Sequence, residues 1–421
     1  MSCCGLDFGT SNTTLALVSA GDVRPILLDQ GHDPPEATPT VLYFPGEGAR
    51  YYGTRAIHEY VDRAMTGRFI QSIKRYLPSK TFDHTVIDGQ RMDLPALIGG
   101  FMKHVRDAAE ALAGEPVDKV VLGRPAVFHR DPARDALAQG RLEAAARAAG
   151  FQELRFRIEP IAAARAFERR LDRETLCLVG DLGGGTSDFT LMRLGPQRVG
   201  RADRRDDILG SDGIDVAGND FDALLVRKKV LPTLGGDTRY RPMGRWVPVP
   251  TRLHVGMTGW HALSFLATRE SLEALDGWIR TAEDPDGLAR LREVLTGNYG
   301  FALFRAVERA KVALSRSDST RLRFHEGGVQ IDEPVSRAEF EEMSLPLLER
   351  LAETLDGLLR EVAVAPEQVS AVFLTGGTSL IPCVREIFEA RFPGRVLGRD
   401  AFTSVGLGLG VEAAEVFGAP G

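Results

Sequence analysis

Apolar positions along this chain recur with two periods. Short apolar or alternating runs predict strands at residues 119–123, 154–158 and 371–375. Longer stretches with apolar residues three and four apart predict helices over 94–112, 134–149, 160–170, 219–230, 301–316, 337–362 and 381–391, and a last one from about Thr403. Gly150 stands where a helix C-cap belongs, and Pro160 stands in a helix first turn. Residues 232–259 are rich in Pro and Gly and read as irregular, part of an insertion around 232–300. Strands alternating with helices call for sheets covered by helices, the α/β class.

One pattern occurs twice. Cys4-Gly5-Leu6-Asp7-Phe8-Gly9-Thr10-Ser11-Asn12-Thr13-Thr14-Leu15 is an apolar run, an Asp, a glycine turn with small polar residues, and a second alternating run. Cys177-Leu178-Val179-Gly180-Asp181-Leu182-Gly183-Gly184-Gly185-Thr186-Ser187-Asp188-Phe189 repeats it. Each reads as a strand–tight turn–strand hairpin. Asp7 and Asp181 are equivalent points 174 residues apart, so two related lobes are expected.

Composition narrows the classes. The 421 residues suffice for two to four folding units, and 43% hydrophobic with 26% charged residues is ordinary globular usage. The net charge of −6 argues against a nucleic-acid surface, and no apolar run is long enough to span a membrane. The four cysteines, Cys3, Cys4, Cys177 and Cys383, have no paired spacing and read as core residues of a reduced, cytoplasmic protein. Only seven of the 52 basic residues are Lys, so a Lys at a motif position stands out.

Gly/Thr turns expose rows of backbone N–H groups that bind anions, phosphate above all. Neither hairpin is a GxxxxGK[ST] loop or a GxGxxG turn followed by a helix. Two of them facing each other could grip a polyphosphate. The carboxylates they bring, Asp7, Asp181 and Asp188, then require a cation, and Mg²⁺ fits.

These hairpins resemble the two phosphate loops of the heat shock protein 70 (DnaK-type) family of the actin-like ATPase superfamily. Further stretches match in the family's order: Arg68–Pro78 with Lys74, Ile158-Glu159-Pro160-Ile161-Ala162-Ala163-Ala164, Gly218-Asn219-Asp220-Phe221-Asp222, Glu308-Arg309-Ala310-Lys311-Val312-Ala313-Leu314-Ser315, and Phe373-Leu374-Thr375-Gly376-Gly377-Thr378-Ser379-Leu380. The resemblance runs from about residue 4 to 412. It implies an actin-like (ribonuclease H-like) fold with lobe I at 1–171, lobe II at 172–402, and a helix at 403–421 crossing back to lobe I.

The resemblance also implies ATP or ADP with Mg²⁺ between two lobes, and slow hydrolysis by an attacking water. Gly9, Thr10, Ser11 and Asn12 would hold the phosphates from one side, and Gly183, Gly184, Gly185 and Thr186 from the other. Asp7 and Asp181 would hold the hydrated metal, Lys74 would sit by the γ-phosphate, and Glu159 and Asp188 would orient or deprotonate the water. Gly218, Glu308, Lys311, Val312, Ser315, Gly376, Gly377, Thr378, Leu380 and Asp400 complete the implied nucleotide contacts.

Departures from the family pattern sharpen the expectation. Val312 and Leu380 stand where the family has arginines that stack on adenine, contacts worth roughly 0.5–2 kcal/mol each, so weaker or less adenine-selective binding is expected. Pro125 matches a proline linked to lobe switching, but Gln139 lies near the expected position of its partner arginine. The sequence stops where the family's client-binding domain would follow, which resembles truncated, YegD-like members. A monomeric, chaperone-like switch acting on an unidentified protein client or co-chaperone is the leading expectation. A small-metabolite kinase of the same superfamily and a nucleotide-dependent scaffold or filament protein are the alternatives.

Overall fold

Strand Cys3–Phe8 pairs antiparallel with Asn12–Ser19, and on its other side parallel with Lys119–Arg124, which is parallel to Glu153–Ile158. Asp22–Pro25 and Ala37–Pro39 both add to Asn12–Ser19. The same plan recurs in a second sheet. Thr175–Leu182 pairs antiparallel with Ser187–Leu194 and parallel with Ala371–Thr375, which is parallel to Val396–Leu397, while Ile208–Ile214 extends the hairpin. The internal repeat is thus a repeat of sheet topology as well as of sequence. In this computed structural model the described residues are 2–19, 21–31, 34–63, 66–129, 131–199, 201, 204–250, 268–397 and 404–418.

The chain divides into two compact units. The first contains Met1–Asp215, Leu351–Leu380 and Val384–Gly421, and holds both sheets. Its strands bury both faces, as their near-continuous apolar runs require. Helix Leu94–Ala113 starts at Asp93, whose Oδ1 accepts from Ala96 N at 2.7 Å, and packs on helix Pro132–Ala148. Phe8, Leu17, Phe101, Val120, Leu142 and Phe151 belong to the core so formed. Helix Ser404–Phe417 lies against strand Cys3–Phe8 and helix Glu159–Ala163. Gly5 and Gly408 make that approach close: a Cβ on Gly5 would meet Gly410 N at 2.1 Å, and one on Gly408 would meet Ala162 O at 2.0 Å.

The single helix expected from Pro160 to about Arg170 is two short ones, Glu159–Ala163 and Arg165–Glu168. Ala164 breaks it at φ −85°, ψ −1°, fully buried in a core with Ile161, Cys177 and Val179. Tertiary packing here overrides the helix propensity of an Ala-rich run.

The second unit, Val216–Arg350 with Ile381–Cys383, contains helix Gly218–Leu225, which continues as a π-helical turn through Val230. Helices Arg269–Ile279, Pro285–Thr296 and Gly300–Leu314 and the hairpin Ser319–Glu326/Val329–Ser336 follow. Phe221 and Phe340 pack in its core with ring centroids 6.1 Å apart. Within the irregular stretch, Arg239–Tyr240 pairs with Val247–Pro248. Trp278 is buried as a local core residue, whereas Trp246 is exposed beneath the guanidinium groups of Arg239 and Arg241.

Candidate functional site

A cleft of about 240 Å³ lies in the first unit, and both glycine hairpins open onto it. Gly9, Thr10, Ser11 and Asn12 line it from the first turn, and Gly183, Gly184, Gly185 and Thr186 from the second. Gly376 and Gly377 contribute from the turn after strand Ala371–Thr375. That volume is below the 300–1,000 Å³ of pockets that enclose a whole drug-sized ligand, a size suited to a polyphosphate end.

The turns are braced to one another. Gly183 N donates to Thr186 O at 3.0 Å, closing the second turn, and Thr378 Oγ1 donates to Gly183 O at 2.6 Å. Gly376 has φ +79°, and a Cβ there would meet Leu182 O at 2.2 Å, so the two loops touch through a position that only glycine fills without strain. Ser11 O accepts from Thr40 N at 2.8 Å, which anchors the first turn.

Sheet register places the acidic groups. Asp7 sits opposite Thr14 and Asp181 opposite Asp188, one residue before each turn begins to bend. Lys74 arrives from far away in sequence. Sheet Ala49–Tyr52/Val41–Gly46/Arg68–Gln71 leads into a 3₁₀ turn, Ile73–Tyr76, after Ser72 adopts φ +53°. The Lys74 ammonium donates to Glu159 Oε1 at 2.8 Å, both side chains being about nine-tenths buried. Glu159 is the first residue of its helix, where the dipole favours a carboxylate.

Four carboxylates, Asp7, Glu159, Asp181 and Asp188, share the cleft with two cations, Lys74 and Arg75. Withdrawal from water pushes the Asp7 carboxyl well above its ordinary value; Glu159 and Asp181 push the same way, and Lys74 opposes them. Burial and Glu159 also raise Asp181, against a hydrogen bond from Thr375 Oγ1 at 3.0 Å and the Lys74 charge. Burial, then Asp181, pushes Asp188 up to about 7, although Thr186 Oγ1 donates to its Oδ2 at 3.0 Å. Burial alone would lower Lys74, but Glu159 and Asp7 more than offset it and keep the ammonium charged.

The donor set suits a hydrated Mg²⁺, which needs only one or two carboxylates alongside phosphate oxygens. Among the described residues, no three His, Cys, Asp or Glu side chains group as a full protein-made metal cage. The Thr14 hydroxyl, buried on the cleft wall, has no hydrogen-bond partner among the described residues and is available to a bound group. Thr14, Thr375 and the lining residues Arg75, Pro78, Pro125, Val127, Phe128 and Val405 were not among the expected site residues. Register could have found two of them, since Thr14 lies opposite Asp7 and Thr375 beside Asp181.

Other expected contacts lie elsewhere. Leu380 is 41% exposed at the end of the 3₁₀ turn Gly377–Leu380. In the second unit, Lys311 Nζ donates to Asp222 Oδ2 at 2.7 Å and Gly218 O at 3.1 Å, a tie between two of the motifs. Glu308 accepts from Arg305 at 2.6 Å, Val312 is exposed, and Ser315 caps the helix with its N–H on Val312 O. Asp400 lies outside the described residues. Among those residues no helix is long and apolar enough to cross a membrane.

Duplicated sheets, each with a glycine hairpin ending at a carboxylate, define a nucleotide-binding protein of the actin-like ATPase fold. A protein-family model described as Hsp70 protein matches residues 85–230 and 301–406, more than half of the chain. The chain belongs to the Hsp70 family, whose members bind ATP and ADP. The first hairpin and Lys74 precede the matched segments, so their place in the site rests on the cleft geometry.

Proposed function

We propose that this protein is a slow ATPase that uses its nucleotide cycle as a conformational switch, in the manner of a chaperone. The observation that carries the proposal is the convergence of both hairpins and the Lys74–Glu159 pair on one cleft. Backbone N–H groups of Thr10, Ser11 and Asn12, and of Gly184, Gly185 and Thr186, hold the β- and γ-phosphates. Asp7 and Asp181 would hold a hydrated Mg²⁺, which would supply charge neutralisation to the phosphates. Lys74, kept charged by its carboxylate neighbours, offsets charge that develops on the transferring phosphoryl group. Asp188, with its carboxyl at about 7, is poised to accept a proton from the attacking water, and Glu159 fixes the Lys74 ammonium. Phosphoryl transfer depends on positioning and charge, so no nucleophilic side chain is required.

In this reading residues 1–171 and 172–402 act as the two lobes, with 403–421 as the closing helix. Glu308, Lys311, Val312, Ser315 and Gly218 serve the nucleoside. The four buried cysteines fit a reducing, cytoplasmic compartment. The protein acts as a monomer with a protein client or co-chaperone.

The test is MgATP turnover by wild type, Lys74→Ala and Asp181→Ala, with nucleotide affinity measured alongside. Loss of turnover in both, with nucleotide still bound by Lys74→Ala, supports the proposal. Unchanged turnover in both defeats it.

A further inference from the structure

Helix Pro132–Ala148 grips both lips of the cleft, and nothing in the phosphate chemistry above uses it. On one side, Arg141 Nη1 donates to Leu77 O at 2.9 Å and Ser79 O at 2.7 Å, with Tyr76 O at 3.4 Å. Arg134 Nε donates to Pro78 O at 2.9 Å. These carbonyls belong to the segment that ends the Lys74 turn, whose closing bond is Leu77 N to Lys74 O at 3.1 Å. Arg134 and Arg141 are seven residues apart, two helical turns, and so share one face.

On the other side the same helix holds Arg124, the last residue of strand Lys119–Arg124. Its Nη2 donates to Asp135 Oδ2 at 3.0 Å and Oδ1 at 3.2 Å, its Nη1 to Gln139 Oε1, and its Nε to Pro125 O at 3.1 Å. Asp135 Oδ1 also accepts from Phe128 N at 2.6 Å, and the Arg124 guanidinium lies 5.0 Å from the Phe128 ring centroid. Pro125, Val127 and Phe128 all line the cleft. The Gln139 that stood where an arginine was expected therefore receives one, from the strand instead of the helix.

Arg124 engages all three of its guanidinium nitrogens, a fixed fork that sets direction as well as distance, whereas Arg141 gathers its carbonyls on Nη1 and Arg134 reaches Pro78 O through Nε. A helix is stiff over four turns, so one body sets the position of both lips. We propose that helix Pro132–Ala148 is the strut that sets the cleft mouth, and that Arg141 is a positioning residue that acts through Lys74. The proposal rests on the ATPase reading of the cleft, and its test separates the two.

The experiment compares wild type, Arg141→Ala, Arg141→Lys, Lys74→Ala and the Arg141→Ala/Lys74→Ala double variant of the full chain. MgATP turnover is followed together with amide hydrogen exchange. Arg141→Ala is expected to lower kcat about tenfold or more while KM stays within about threefold, since a small misplacement of a catalytic group is costly. Arg141→Lys recovers most of the rate, because an ammonium still reaches a carbonyl. On the residual hydrolysis of Lys74→Ala, read in single-turnover reactions with enzyme in excess, Arg141→Ala costs nothing further, a conditionality that a merely structural role would not produce. Normal kcat in Arg141→Ala, or a full additional loss in the double variant, overturns the proposal. If wild type has no turnover, or Lys74→Ala leaves it intact, the ATPase reading falls and exchange decides the strut. Arg141→Ala should then speed exchange at the Leu77 and Ser79 amides, which bond Lys74 O and Tyr76 O. Unchanged exchange at both overturns it.

Discussion

Asp188 gives the most quantitative prediction. Burial, with the Asp181 charge beside it, moves its carboxyl from 3.8 to about 7. Between those values the folded protein keeps a proton that the unfolded chain has released. Folding is thus linked to proton uptake, and stability falls as pH rises through the window. The contribution is whole below pH 4 and gone above about pH 7. Three units at about 1.4 kcal/mol each give a span of about 4 kcal/mol. Asp188→Asn keeps the shape and removes the titration. Urea unfolding of both proteins at pH 5, 6, 7 and 8, without nucleotide or Mg²⁺, reads the difference. Wild type is expected to lose about 1.4 kcal/mol per unit relative to the variant from pH 5 to 7, then to level off. The Asn variant becomes the more stable protein at pH 8, where wild type must bury an ionised carboxylate. A difference that stays flat across this range would falsify the placement of Asp188 among like charges.

Two further outcomes follow from the same geometry. Lys74→Met leaves Glu159 buried without its partner and should cost about 3–5 kcal/mol in denaturant unfolding, whereas adding Glu159→Gln should recover part of that loss; strict additivity would contradict the pairing at 2.8 Å. Gly376→Ala forces φ +79° on a residue with a Cβ directed at Leu182 O, so about 2 kcal/mol or more of destabilisation and weakened nucleotide binding are expected in thermal melts and titration; a neutral result counts against the contact between those loops.

The sequence carried the hairpins well, because a strand, an Asp and a glycine turn are all local patterns. Asp7 and Asp181 therefore fall where their spacing suggests. Lys74 is different: it lies 85 residues from Glu159, and only the resemblance brought the two together. Pro125 was legible as a motif residue, but its place on the cleft lip with Val127 and Phe128 was not, since that position depends on an arginine fork and a distant helix. The break at Ala164 escaped for the same reason, its cause being burial against another sheet. The hairpin Ser319–Glu326/Val329–Ser336 is a different kind of omission. Its buried Leu322, Phe324, Val329 and Ile331 alternate with exposed positions, so period two was there to be read.

The close approach of Gly5 to Leu409 and Gly410 has a consequence for synthesis. Cys3 Sγ also meets Ala413 O, 410 residues further on. At about 5–20 residues per second, tens of seconds separate the appearance of these two edges at the ribosome. During that interval the first strand lacks the helix that covers it, and its apolar face waits in a partly formed sheet. The stretch 216–350, by contrast, is nearly all of its own unit and has its partners at hand as soon as it is made. The first residues to emerge are thus among the last to be sealed, and through that interval the N-terminal strand is the part of the chain most exposed to misassociation.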